Sequence, residues 1–277
     1  MLLLALDTST RRASIALCSD DDVYGEYTWY VGNNHSVELL ERIQRLIAEC
    51  GVTMYQLDGV AVATGPGSFN GVRVAVATAK TLAFLLQKPL VGVSTLDVIA
   101  AQQQQAQEPI CAVLEAGRSE LYAACYLFAM LPDENSAVTY AMARLSDYLL
   151  LAPEQLAIHI QEQASTWVGV PGERQLPPFL FCGELSEVSR QALRTQMQEQ
   201  SLFVSNVQAT RHASVLALLA LQRLREGKED DPLLLEPLYL RRPSITASTR
   251  KRPLLGGKSQ RSDDQSSTER EEGALRH

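Results

Sequence analysis

Histidine is scarce in this 277-residue chain, and the four present, His35, His159, His212 and His277, are isolated from one another. None has a second histidine at the short spacing by which one helix face or loop offers two ligands to a metal, so no metal centre is expected. Cysteine is also sparse. Cys18, Cys50, Cys111, Cys125 and Cys182 are dispersed, odd in number and mostly set in apolar runs, the pattern of reduced packing residues rather than of a disulfide framework or zinc cluster. That usage fits a cytoplasmic protein. The N-terminal run Leu2-Leu3-Leu4-Ala5-Leu6 is too short for a membrane helix, has no basic segment before it and is broken by Asp7. Neither a secretion signal nor a membrane partner is expected.

Two common catalytic loops are missing as well, although glycine, proline and serine concentrate in Gly65-Pro66-Gly67-Ser68-Phe69-Asn70-Gly71-Val72-Arg73. A P-loop needs glycine, four residues, then Gly-Lys-Ser/Thr; here five residues separate Gly65 from Gly71, and Val72 stands where the lysine should be. A nucleophile elbow needs glycine two residues either side of its serine, and Ser68 has Pro66 and Asn70 there. What remains is a turn from an apolar strand into a long Ala/Val-rich helix. Its glycines allow positive φ and close backbone approach, and the amides opening the helix form a weak anion nest. The turn either cradles an anion or joins the two elements with no ligand.

The chain is 46% hydrophobic, enough for a sizeable core in one large domain or two small ones. Its formal charge of −7 is uneven: residues 247–277 hold seven Lys/Arg against five Asp/Glu, a net of +2, so residues 1–246 carry −9. An acidic body is poorly suited to gripping a phosphate backbone alone, and in a nucleic-acid process a partner would have to supply the basic surface.

Leu2 to Leu6, Ala13 to Cys18 and Val23 to Val31 read as three strands of an antiparallel meander, separated by polar turns. A helix follows from about Ser36 to Cys50, with a wide apolar stripe stopped by Gly51. Then come a strand at 59–64, a helix at about 70–86, a strand at Leu90 to Val93 and a helix at about 95–107, opened by a capping box of Ser94 and Asp97. The Gln102 to Gln105 run is a helix surface or end. Ile110 to Glu115 pairs with Glu120 to Phe128, and strands at Phe179 to Cys182 and Leu202 to Ser205 with helices near 184–199 and 213–226 suggest a second mixed α/β unit. The order argues for a duplicated α/β architecture, with subdomains at 1–108 and 109–246. Beyond Thr246 the chain is polar and should be disordered.

Several strings together resemble the TsaB family, also called YeaZ. They are Leu4-Ala5-Leu6-Asp7-Thr8-Ser9, Gly65-Pro66-Gly67-Ser68-Phe69 with Gly71-Val72-Arg73 and Ala77-Thr78-Ala79-Lys80, and Val91-Gly92-Val93-Ser94-Thr95-Leu96. Glu115 to Ala123 and Glu236-Pro237-Leu238-Tyr239-Leu240-Arg241 extend the likeness over most of residues 1–246. The resemblance implies the duplicated ribonuclease-H-like fold shared with actin, sugar kinases and heat-shock ATPases. It implies a non-catalytic paralogue of TsaD in bacterial tRNA threonylcarbamoyladenosine synthesis, without catalytic residues, cofactor or metal. TsaD and the small ATPase TsaE are the implied partners, with a homodimer possible when alone and tRNA contacted only through the complex.

The same likeness points to the first two long helices as the TsaD interface, with His35, Leu39, Ile43, Leu46, Val76, Ala77 and Lys80 as its residues. The apolar stripe of the first helix has more surface than one core contact covers, unless it is fully buried between sheet and neighbours. A vestigial cofactor site would use Asp7, Thr8, Gly65, Gly67 and Ser68. Three departures bear on it. ATP-using relatives follow the strand-end Asp with glycine, where this chain has Thr8-Ser9; TsaD has a histidine pair where His35 is followed four residues later by Leu39; and Cys182-Gly183-Glu184-Leu185 replaces a common Gly-Asp-Gly. Asp7 could orient water or a metal, or cap the first turn through its carboxylate. The competing readings are an ATP-dependent small-molecule kinase of the same fold, poorly matched by these departures, and a peptidase-like protein, which Ser68 and the unpaired histidines do not support.

Overall fold

The computed structural model of the chain describes residues 1–31, 35–131, 139–168 and 177–241, with backbone alone at 35–37, 131, 139 and 168. The tail expected to be disordered, 247–277, lies outside the described residues.

Strands β1 (Leu3–Asp7), β2 (Arg12–Cys18) and β3 (Val23–Tyr30) form the expected antiparallel meander. Strands β4 (Gly59–Ala63) and β5 (Leu90–Val93) add in parallel on the other side of β1, giving the order β3-β2-β1-β4-β5. The central strands are buried on both faces, as parallel strands between helical layers must be. Leu4, Leu6, Val60 and Val62 face α1 (His35–Glu49) and α2 (Phe69–Leu86), while Leu3, Ala5, Ala61 and Ala63 face the opposite layer. Helix α2, 18 residues at mean hydropathy 1.3, is long and apolar enough to cross a membrane by length and composition. Val72, Ala75, Val76, Ala79 and Ala83 pack one side of it into this core.

The second half repeats the order. Strands β6 (Ile110–Gly117), β7 (Glu120–Leu131), β8 (Thr139–Arg144), β10 (Phe179–Glu184) and β11 (Ser201–Phe203) run β11-β10-β6-β7-β8, and β9 (Leu149–Leu151) also pairs with β7. Helices α4 (Pro153–Val168) and α5 (Glu187–Met197) cover one face, where Cys111, Val113, Leu121, Ala123 and Phe181 meet Leu156, Ile160 and Leu193. The two halves thus share one strand order, the duplication that the resemblance leads one to expect.

Two helices cross between the halves. Helix α3 (Thr95–Ala101), which follows β5, packs Leu96, Ile99 and Ala100 against the second sheet, although its Val98 joins the first-sheet cluster. Helix α6 (Ala213–Arg225), which follows the second sheet in sequence, lays Ala213, Leu216, Ala217, Ala220 and Leu221 on the first. Alanines on both α6 and the strands let the layers approach closely. Helix α3 ends at Ala101, six residues short of the sequence reading, and the glutamine run begins as its cap and turn.

Candidate functional site

Asp7 ends β1 between the two sheets. Its Oδ1 accepts the Ser9 backbone N–H at 2.8 Å and the Ser9 hydroxyl at 2.5 Å, so the carboxylate caps the turn. Thr8 Oγ1 donates to the Gly71 carbonyl at 2.6 Å, and the Ser68 N–H donates to the Ser9 carbonyl at 2.6 Å. The glycine turn is thereby docked on the β1–β2 turn, backbone against backbone. A Cβ at Gly67 would lie 2.1 Å from the Ser9 carbonyl oxygen, and one at Gly71 would lie 2.0 Å from the Thr8 carbonyl oxygen. Ser68 Oγ accepts the Gly71 N–H at 3.3 Å and caps α2, and the Gly65 carbonyl accepts the Thr95 N–H at 2.8 Å. Thus the Ser68 and Gly71 amides of the turn have partners within the chain.

The residue that dominates this place is Arg211, just before α6, which sequence reasoning missed. Its side chain is 1% exposed. Nε donates to Asp7 Oδ2 at 2.9 Å, Nη1 to Glu184 Oε1 at 2.6 Å, and Nη2 to Thr10 Oγ1 at 2.9 Å and the Arg12 carbonyl at 2.7 Å. Burial alone would lower the guanidinium pKa, but the Asp7 and Glu184 carboxylates outweigh it and hold the pKa above the usual arginine value. Gln102 fixes the flanking backbone: its Nε2 donates to the Thr210 carbonyl at 3.0 Å and its Oε1 accepts the His212 N–H at 2.9 Å. Gln102, read from sequence as a mere helix end, positions this arginine. No local motif could have revealed the set, because Asp7 and Arg211 are 204 residues apart.

On the helices expected to bind a partner, the structure separates core from surface. Leu39, Ile43, Leu46 and Val76, expected at a partner interface, are buried in the first-sheet core. The wide stripe of α1 is mostly filled by the sheet, and Leu40, 49% exposed, is left on its outer edge. On α2 the exposed positions are Phe69, Asn70, Arg73, Ala77, Thr81, Phe84 and Leu85, with Phe84 at 62% and Leu85 at 69%. Lys80 is tied inward, its Nζ donating to the carbonyls of Leu235 at 3.0 Å and Leu233 at 3.4 Å. The His35 side chain lies outside the described residues. Among the described residues no group of three or more His, Cys, Asp or Glu is placed to hold a metal ion.

The capping box at α3 is only half present. Ser94 Oγ accepts the Leu96 N–H at 3.3 Å, but Asp97 turns to the second sheet, accepting the Tyr126 hydroxyl at 2.7 Å and the Tyr148 hydroxyl at 3.1 Å. Burial raises the Asp97 carboxyl pKa above the usual range against the lowering effect of both phenols, and burial with the neighbouring carboxylate pushes both tyrosines up.

Comparison with known proteins gives a consistent result. The family model described as TsaD, tRNA N6-adenosine threonylcarbamoyltransferase, matches residues 30–248. The tRNA threonylcarbamoyladenosine biosynthesis protein TsaB of Bacillus subtilis is 30% identical over 247 residues, covering 87% of this chain and 94% of that protein. The Escherichia coli protein of the same name is 30% identical over 172 residues, 61% of this chain and 71% of its own. The solved structure of YeaZ from Pseudomonas aeruginosa superposes with a TM-score of 0.65 at 26% identity, covering 86% of this chain and 99% of that one. With its duplicated fold and most of its length matched, the chain belongs to the TsaB (YeaZ) family.

Proposed function

We propose that this chain serves tRNA threonylcarbamoyladenosine synthesis as an accessory subunit, binding a TsaD-type transferase through the outer faces of α1 and α2 rather than carrying out the transfer. The observation that carries the reading is the outer face of α2. Phe69, Arg73, Ala77, Thr81 and Leu85, one turn apart, are all exposed, with Phe84 beside them. Large apolar side chains at both ends and alanine in the middle leave a flat strip that a partner helix can approach closely. The match of the transferase family model to residues 30–248 supports a partner of related fold, offering a similar pair of helices. Related faces pair naturally about a pseudo-twofold axis, and a second copy of this chain would use the same strip when the transferase is absent. The acidic body fits a subunit that reaches tRNA only through the complex, working in the cytoplasm beside TsaE.

Size-exclusion chromatography of this chain with TsaD and TsaE from its own organism tests the reading, and comigration is expected. Ala77→Arg and Phe84→Glu alter exposed positions, so their melting temperatures should stay close to that of the parent. A charge desolvated without a partner should weaken association by roughly 100-fold or more and lower modification in a reconstituted mixture. Folded variants that still comigrate and support modification would remove the α2 face from the interface.

A further inference from the structure

The metal and nucleotide that ATP-using proteins of this fold hold against the strand-end aspartate do not fit this cleft. Asp7 has Oδ1 engaged by Ser9 and Oδ2 by Arg211. Thr8 occupies the position where those relatives have glycine, with its hydroxyl bonded to the Gly71 carbonyl. The space beside Gly67 and Gly71 is filled by the β1–β2 turn, and Gly183, at φ +125°, would place a Cβ 1.9 Å from the Val113 carbonyl oxygen. These glycines serve approaches of chain to chain and leave no phosphate cradle.

We propose that Arg211 is a built-in cation that holds the cleft closed, linking Asp7 at the end of β1 to Glu184 at the end of β10 without any bound nucleotide. Its donors reach a carboxylate from each sheet, and Thr10 Oγ1 adds a second link to Glu184 Oε2 at 3.1 Å. The arginine cannot swing aside cheaply. Gln102 grips the peptide groups before and after it, and Arg12 Nη1 donates to Thr210 Oγ1 at 2.5 Å. Breaking a buried ion pair on one side leaves an uncompensated charge, so the closed state should dominate. The family's fold is thus used here as one fixed body, and this holds whether or not the α2 face binds a transferase.

The test uses the full chain, with manganese and ADP as probes. In the parent protein the amides of Ser9, Thr10 and Glu184 should resist hydrogen exchange, and neither protection nor melting temperature should change with manganese and ADP. Arg211→Ala should lose several degrees of melting temperature. With Asp7 and Glu184 released, manganese alone should restore part of that loss, and the restoration should vanish when Glu184→Gln is added. Should Arg211→Ala fail to fold, Glu184→Gln alone removes the charge while keeping one acceptor oxygen for Arg211, and should raise exchange at Ser9 and Thr10 by about tenfold or more. Protection of the parent that rises with manganese and ADP, or an unchanged exchange pattern in Glu184→Gln, would overturn the proposal.

Discussion

At the scale of single residues, the glycines of the 65–71 turn were legible as essential but not as to purpose. Glycine for a phosphate and glycine for a neighbouring carbonyl look alike in sequence, and only the Thr8 and Ser9 oxygens decide between them. Gly71→Ala forces a Cβ to within 2.0 Å of a backbone oxygen that no rotamer change can move. It should cost about 3 kcal/mol in urea unfolding, whereas a cost under about 1 kcal/mol would mean the two turns separate easily. Asp97 gives the second test. Its folded carboxyl pKa is raised, so folding favours the protonated form. The stability this contributes is present below the unfolded carboxyl pKa and is lost as pH climbs through the folded value. Asp97→Asn keeps an oxygen acceptor for Tyr126 and Tyr148 without the charge. The melting temperature of the variant minus that of the parent should therefore grow from pH 4 to pH 7, and a difference independent of pH would refute the assignment.

At the scale of elements, the meander, the α1 stripe and the Ser94 cap of α3 were legible because each depends on neighbours a few residues away. Which edge of the α1 stripe meets the sheet was not. Its apolar positions cover a wide arc, and the strands that claim Leu39, Ile43 and Leu46 while leaving Leu40 outside come from elsewhere in the chain. The segment after α6 shows the same limit. Glu236 to Arg241 was recognisable as a motif, yet its work is to strap the fold: the Leu238 N–H donates to the Thr64 carbonyl at 2.7 Å, the Tyr239 ring packs tilted against Phe69 at 5.1 Å, and Arg241 Nη1 reaches the Ala116 carbonyl at 3.1 Å. Lys80, expected to meet a partner, holds this strap by its carbonyls. Lys80→Met should cost on the order of 1 kcal/mol and speed hydrogen exchange at Leu235 and Leu238. Unchanged exchange there would mean the backbone bonds suffice to hold the strap.

At the scale of the whole molecule, the duplicated order suggested a cut near residue 108, but α3 and α6 each pack across that cut. A fragment of residues 1–108 would keep the first sheet and lose α6. Leu3, Ala5, Ala61, Ala63, Val91 and Val93, all buried, would lose their cover of Ala213, Leu216, Ala217, Ala220 and Leu221. The complementary fragment would lose α3, and with it Leu96 and Ile99 from the face lined by Ile110, Ala112, Leu114 and Tyr126. Burying a side chain such as leucine or isoleucine contributes about 1.5–3 kcal/mol, so several lost at once approach the 5–15 kcal/mol that holds a domain folded. The Arg211 link across the sheets would be lost by both pieces. The intact chain should therefore melt in one calorimetric transition, with equal calorimetric and van't Hoff enthalpies. Neither fragment alone should show a cooperative transition, and mixing the two should recover one. A fragment of residues 1–108 that folds cooperatively by itself would show that α6 is dispensable to the first sheet and that the halves are independent domains.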